Sequence, residues 1–374
     1  MIDLEGSSKP FLTLCSGCAG HGRDQYLEKV FAEKFSQSKD EIMRVRLRDE
    51  IYKHAVRDGI HLTDSTVLDI DEDRRARYRE SAIESIIQES AKFKYTFVSS
   101  PATFKWKGET IFGLRPSDVR RLNPDLFITI VSDLLPTQLE LNKQAQWKQF
   151  GFTLKDLADW REMEIRETRQ MARQVNKLLN YFVIPNDSKS DVLYDLVVNR
   201  HKKRAYLSYP LTDATQEQLE EAQSIMQRLQ QDLVIFDPYT IKDPNLNIEL
   251  QKQLEKSGGE SIPKTLNIRF EYASGPKTFT CPTSEIEEAR KSINIQTVRL
   301  DHHLIAQSDM VVAYLPFPAA GVVSEMLFAH ERGKPVFAYY PKHPSPFLDY
   351  TCTEIFKTTK ELVERVRTEV STHV

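Results

Sequence analysis

The segment Asp301-His-His-Leu-Ile-Ala-Gln-Ser-Asp309-Met-Val-Val-Ala-Tyr-Leu-Pro-Phe317-Pro-Ala-Ala-Gly321-Val-Val-Ser324-Glu325 decides the fold. It reads as a helix end, a buried strand over 310–317, a Gly-containing turn and a helix opening near Val322. A strand that feeds directly into a helix is the repeating unit of a parallel α/β sheet. This reading places Glu325 in the first helical turn, beyond the carboxyl end of the strand, where open α/β sheets bind ligands. The helix dipole there favours an ionised carboxylate. With a second acid from the preceding helix, such a carboxylate suits a nucleophile and acid/base pair for sugar chemistry. The plainer alternative is a Glu that serves only the dipole and the free N–H groups of the first turn.

The same alternation extends outward. Strands are expected at 205–208, 233–236 and 335–340, with helices at 217–230, 284–306 and 358–369. Residues 243–280 read as an insertion without clear periodicity. In the first half, strands are expected at 11–14, 65–70, 95–99, 125–131 and from Tyr181. Helices fall at 24–36, 41–55, 74–93, 138–150 and 154–179. A chain of 374 residues exceeds one ordinary core. The expectation is therefore α/β with two domains, 1–198 and 199–374, each a mainly parallel sheet flanked by helices. The polar stretch 186–190 and the basic cluster 200–204 bracket the junction.

Hydrophobic content of 40%, charged content of 28% and a net charge of −3 describe a globular protein without a basic footprint for nucleic acid. No apolar run approaches the ~20 residues that span a bilayer, and residues 1–10 lack the pattern of a signal peptide. These features predict a cytoplasmic protein with no membrane partner. Four cysteines make no disulfide framework. Cys15 and Cys18 form a lone Cys-x-x-Cys pair, read as reduced thiols in a turn rather than as a metal site.

That turn is Gly17-Cys-Ala-Gly20-His-Gly22-Arg23-Asp24-Gln25, between a strand and a helix. Glycines in such a loop let backbone N–H groups wrap a phosphate against the helix N-terminus. The loop resembles that of adenylate-kinase-like nucleoside monophosphate kinases, with Gly17, Gly20 and Gly22 at the expected places. The resemblance implies a P-loop kinase-like fold and a nucleotide at this loop, with Arg23 standing where the family has its phosphate-binding Lys. Asp24 and Gln25 occupy the places of a small residue and a magnesium-binding hydroxyl, which speaks against kinase activity. Residues 160–172 look like the helix after the lid in such kinases, or a solvated amphipathic helix. Asp125 and Asp133 flank the strand suited to a metal-carboxylate role.

The second half resembles the nucleoside 2-deoxyribosyltransferase family, including its N-glycosidase relatives that hydrolyse nucleoside monophosphates. Four places within 204–366 carry the likeness. They are Ala205-Tyr206-Leu-Ser208-Tyr-Pro, the spacing of Asp301 to Asp309, Gly321-Val-Val-Ser324-Glu325, and Ala329-His-Glu-Arg-Gly-Lys-Pro-Val336. The resemblance implies a flavodoxin/Rossmann-like fold, Glu325 as nucleophile, Asp301 as acid/base and Tyr206 beside the nucleophile. Ser208, Asp237, Asp309, Gly321 and Ser324 would line the substrate site. No cofactor or metal is required for glycosidic cleavage. The partners implied are a nucleotide, nucleoside or NAD-like small molecule, and further copies in a homo-oligomer. The transferases carry an Asp where this chain has Ala319, which favours bond cleavage over transfer between nucleosides. The alternative is a nucleotide kinase or nucleotide-sensing protein whose C-terminal domain is non-catalytic.

Overall fold

The computed structural model describes residues 9–258 and 262–371. Residues 1–8, read above as lacking a leader, and residues 259–261 of the expected insertion lie outside them. Fourteen strands occur among the described residues. In chain order they are β1 (Phe11–Ser16), β2 (Ile42–Arg46), β3 (Tyr95–Ser99), β4 (Thr103–Trp106), β5 (Glu109–Phe112), β6 (Leu126–Val131) and β7 (Tyr181–Pro185). Then come β8 (Arg204–Ser208), β9 (Val234–Phe236), β10 (Thr265–Tyr272), β11 (Gly275–Pro282), β12 (Met310–Tyr314), β13 (Val336–Tyr339) and β14 (Glu354–Phe356). The protein is α/β, with two five-stranded sheets of wholly parallel pairing flanked by helices.

The chain forms two compact units, 1–187 with 242–293, and 188–241 with 294–374. The single boundary expected at 198/199 therefore gives way to three crossings. The cause is the insertion, whose apolar face belongs to the first unit. Strand β10 alternates strictly, burying Leu266, Ile268 and Phe270 while Thr265, Asn267 and Arg269 face water. The buried set joins a core with Leu154, Leu157 and Trp160. The insertion thus has the period-two pattern that was not recognised in the sequence, plus a helix Pro244–Ser257 ahead of it.

In the first unit the sheet runs β2-β3-β1-β6-β7. Its strand β6, Leu-Phe-Ile-Thr-Ile-Val, is buried along its whole length, as a parallel strand covered on both faces must be. Three expectations fail here. The helix expected at 138–150 is two helices, Leu134–Lys143 and Ala145–Lys148, parted by extended Gln144. Residues 41–55 do not form one helix: 42–46 are the edge strand β2, and the helix is Leu47–Arg57. Pairing to β3 decides this against local helix propensity. Residues 65–70 form turns, because the hydroxyls of Thr63, Ser65 and Thr66 bond to one another and to nearby backbone.

A buried charge cluster secures the insertion within this unit. Asp243 accepts from Leu134 N at 2.8 Å and from Arg161 Nη1 at 2.6 Å. Asp133 accepts from Lys242 N at 2.5 Å and from the Tyr272 hydroxyl at 2.7 Å. Neither Asp133 nor Asp125 is placed as a free metal carboxylate: Asp125 accepts from Leu12 N at 3.0 Å and pairs with Lys9 and Lys177. Replacing Asp243 with Ala removes the closest carboxylate from buried Arg161, and should destabilise the protein by about 3–5 kcal/mol in urea unfolding. The apolar pair Arg161→Met with Asp243→Leu should recover most of that loss.

In the second unit the order is β14-β13-β12-β8-β9. Counted along this unit it is the flavodoxin-like order 2-1-3-4-5, read from the other edge. Alternate residues of β8 face opposite sides of the sheet. Ala205 and Leu207 enter a core with Ala222, Ile225, Leu362 and Val366. Tyr206 and Ser208 therefore face the opposite layer, which contains the helices Thr283–Ala306 and Ala320–His330.

Candidate active site

Strands β8 and β12 are neighbours, and the order reverses between them, so a crevice opens at their carboxyl ends. Four of the expected residues come together there. Ser208, at the last position of β8, donates its hydroxyl proton to Glu325 Oε2 in a very short hydrogen bond. Tyr206 is fully buried two residues earlier. Its hydroxyl lies in the field of both Asp301 and Glu325, but forms no hydrogen bond of regular geometry. Asp301 comes from the last turns of the helix Thr283–Ala306.

The helix carrying Glu325 opens at Ala320, so Glu325 lies in its second turn rather than its first. The dipole's effect falls off within the first turn, and it does not dominate here. Burial raises the Glu325 pKa to about 7, against the opposing hydrogen bond from Ser208 and the nearby Tyr206 hydroxyl. Asp301 is pushed well above the usual carboxylate range by burial and then by the charge of Glu325, with Tyr206 opposing. The charge of Glu325 therefore favours the protonated form of Asp301. Burial and these two negative charges also keep the Tyr206 phenol protonated.

The remaining expected residues are placed elsewhere or do structural work. Asp309 precedes β12, at the amino end of the sheet, and grips Arg204 through bonds of 2.9 and 2.6 Å while capping its N–H at 2.8 Å. It anchors two strand starts at the end of the sheet opposite the crevice. Asp237 caps the turn Pro238–Thr240 through Tyr239 N at 2.9 Å and accepts from the Tyr209 hydroxyl at 2.8 Å. Gly321 and Ser324 are exposed on the helix, and a Cβ at Gly321 would meet nothing within 4 Å. Ala319 is the N-cap and offers no side-chain bond to the helix. His302 stacks on Phe328 with centroids 3.6 Å apart, under the Arg332 guanidinium at 3.3 Å on the same ring.

In the first unit, backbone geometry requires two of the glycines in the loop after β1. Gly22 is the left-handed N-cap of the helix Arg23–Lys34, and a Cβ on Gly17 would sit 2.6 Å from Ile130 O. The loop's polar groups are engaged internally. Arg23 folds back, giving Gly17 O a bond of 3.0 Å and pairing with Asp24 at 3.1 Å. Gly17 N donates to Glu164 Oε1 at 2.9 Å. Burial opposes the ionisation of Asp24, but Arg23, Ser99 and Arg46 outweigh it and hold its pKa below the usual range.

Glu164 was not singled out in the sequence. It is fully buried and also accepts from Ala102 N, Thr103 N and the Thr103 hydroxyl. The helix Leu154–Gln174 buries its polar residues Arg161, Glu164 and Thr168 beside Trp160, so it is not a solvated surface helix. The i, i+4, i+8 spacing of Trp160, Glu164 and Thr168 was the available signal. Cys15 and Cys18 are free and buried. Burial lifts the Cys15 thiol to about 12 and Cys18 well above its ordinary value, the reverse of a reactive dithiol. Among the described residues, no three His, Cys, Asp or Glu side chains converge to hold a metal. No helix among them is long and apolar enough to cross a membrane.

No family model matches this chain, and no curated protein matches it.

The Ser208 hydroxyl stabilises the ionised form of Glu325, so Ser208→Ala should raise the Glu325 pKa above about 7. Titration of the side-chain carboxyl by carbon NMR with labelled glutamate reads this directly. An unchanged or lower value would remove Ser208 from the site.

Proposed function

We propose that the second unit cleaves an N-glycosidic bond in a nucleotide, nucleoside or NAD-like substrate, with Glu325 as nucleophile and Asp301 as acid/base. The observation that supports this most is the pair itself. Two carboxyls with raised pKa values meet at the carboxyl end of β8, and one of them is held by Ser208. Environments that leave one carboxyl protonated while its neighbour ionises mark acid and base assignments.

In the first step, ionised Glu325 attacks the anomeric carbon, and the C–N bond electrons leave with the base. With a purine or pyrimidine, protonated Asp301 gives its proton to that base, so a neutral molecule departs. The cationic nicotinamide of an NAD-like substrate leaves neutral without a proton. In both cases a glycosyl ester remains. In the second step, water attacks the anomeric carbon and loses its proton to the Asp301 carboxylate. The ester bond breaks and its electrons return to Glu325. A second base in place of water would give transfer, and Ala319 in place of the transferases' Asp favours water. Tyr206, kept as a neutral phenol, is a donor for the carboxylate that carries charge at each stage.

Free base released from a panel of nucleosides, nucleoside monophosphates and NAD is the measurement. Glu325→Gln should lower release by about a thousandfold or more, and Asp301→Asn by about 10²–10⁴-fold. Release by Glu325→Gln at the parent rate sinks the proposal.

The pH dependence follows from the same pair. Cleavage needs Glu325 ionised and Asp301 protonated. The rate should therefore rise with pH through about 7 and fall again as Asp301 loses its proton. In Asp301→Asn the residual rate should keep the rising limb and lose the falling one. A falling limb that persists in this variant would assign the acid elsewhere.

A further inference from the structure

The first unit holds a cavity of about 590 Å³ beside the glycine loop, within the range of small-molecule sites. One wall is apolar and aromatic, formed by Ile51, Leu68, Phe104, Ile111, Phe112 and Trp147. Trp147 is held edge-on by Trp106 with centroids 5.4 Å apart, and packs on Trp160 at 5.6 Å. Trp147 is itself only 5% exposed, so the aromatic surface open to a ring on this side comes from half-buried Phe104 and exposed Phe112. The side-chain amides of Gln144 and Gln146 also line the space and offer hydrogen bonds to a polar edge.

Five arginines line the cavity, which at first sight suits a polyphosphate. Each already faces an acid. Arg23 pairs with Asp24 at 3.1 Å, and Arg46 with Glu28 at 3.0 Å and Asp24 at 3.5 Å. Arg48 pairs with Asp64 at 2.8 Å, Arg75 with Glu72 at 2.5 Å, and Arg79 with buried Asp118 at 2.6 Å. No lysine is among the described lining residues. Asp24 puts a negative charge in the first turn of the helix behind the loop, and the Gly17 N–H is committed to Glu164. A triphosphate would bring several negative charges to carboxylates that already neutralise the guanidiniums.

We propose that this cavity binds an uncharged, planar heteroaromatic molecule of about nucleoside size and discriminates against nucleoside triphosphates. The ring packs against Phe104 and Phe112 on the apolar wall, and the arginine–carboxylate pairs, neutral as pairs, and the glutamine amides hydrogen-bond its polar edge. This goes beyond the glycosidic site, since it concerns a ligand that the first unit binds without chemistry.

Fluorescence isolates this cavity, because all three tryptophans of the chain, Trp106, Trp147 and Trp160, belong to the first unit and to one aromatic cluster. The titrations use full-length Glu325→Gln protein, so that no probe is consumed, with adenosine, guanosine, cytidine, uridine and thymidine, then ATP with magnesium. At least one nucleoside should give a saturable tryptophan response below about 1 mM, and ATP should bind about tenfold more weakly or worse. Phe112 is 47% exposed at the wall, so Phe112→Glu should fold and weaken the nucleoside about tenfold. Asp24→Asn removes the acid shared by Arg23 and Arg46, and should narrow the gap between nucleoside and ATP. The proposal is overturned by the absence of a saturable response to all five nucleosides. It is equally overturned by ATP binding as tightly as the nucleosides, or by an unchanged affinity in Phe112→Glu. Base release by the parent protein is read separately, so the failure of one proposal is distinguishable from the failure of the other.

Discussion

Parallel strands need crossover helices, and where the strand order reverses, two successive crossovers leave on opposite faces of the sheet. In the second unit that reversal lies between β8 and β12. The gap it leaves is where the Ser208 hydroxyl, the Tyr206 phenol, and two carboxyls from two different helices converge. Bringing Asp301 and Glu325 together costs free energy, because burial and mutual repulsion both oppose their ionisation. The fold meets that cost with the Arg204–Asp309 grip at the other end of the same strands and with the apolar core on the other face of β8.

Buried charge is handled differently in the first unit. There Glu164 is surrounded by donors, three backbone N–H groups and a hydroxyl. Asp243 is matched with Arg161, and Asp118 with Arg79. These groups are satisfied, so they specify geometry: Glu164 ties the start of the glycine loop to the backbone after β3, and Asp243 ties the insertion to the start of the helix after β6. The contrast with Asp301 and Glu325 is instructive. Fully satisfied carboxylates hold a fold, whereas burial and the charge of Glu325 oppose the ionisation of Asp301.

Much of the fold was legible because it rests on patterns within single elements. The run Leu126–Val131, apolar but for Thr129, reads as a covered strand, and the strand, turn and helix about Met310 and Ala320 followed from period and punctuation. Edge strand β2 was not legible, since Ile-Met-Arg-Val-Arg runs without a break into a good helix and only its partner β3 separates the two. The insertion was misread for a related reason. Its alternating residues Leu266, Ile268 and Phe270 fill a core contributed by segments more than a hundred residues earlier.

At the candidate site, the sequence by itself determined the residue types and their spacing. Tyr206 and Ser208 share a strand face by period two, and Glu325 follows β12 because a parallel strand must lead into its crossover. Tertiary structure alone decided which acids are available. Asp309 and Asp237 carry the same carboxyl as Asp301, yet one is neutralised by Arg204 and the other caps a turn. It also decided that the five arginines beside the glycine loop face carboxylates, where the loop's sequence suggested a phosphate cradle. The physical reason is the same in each case. A side chain's charge is local, but its partners and its access to water are set by residues that only folding brings near.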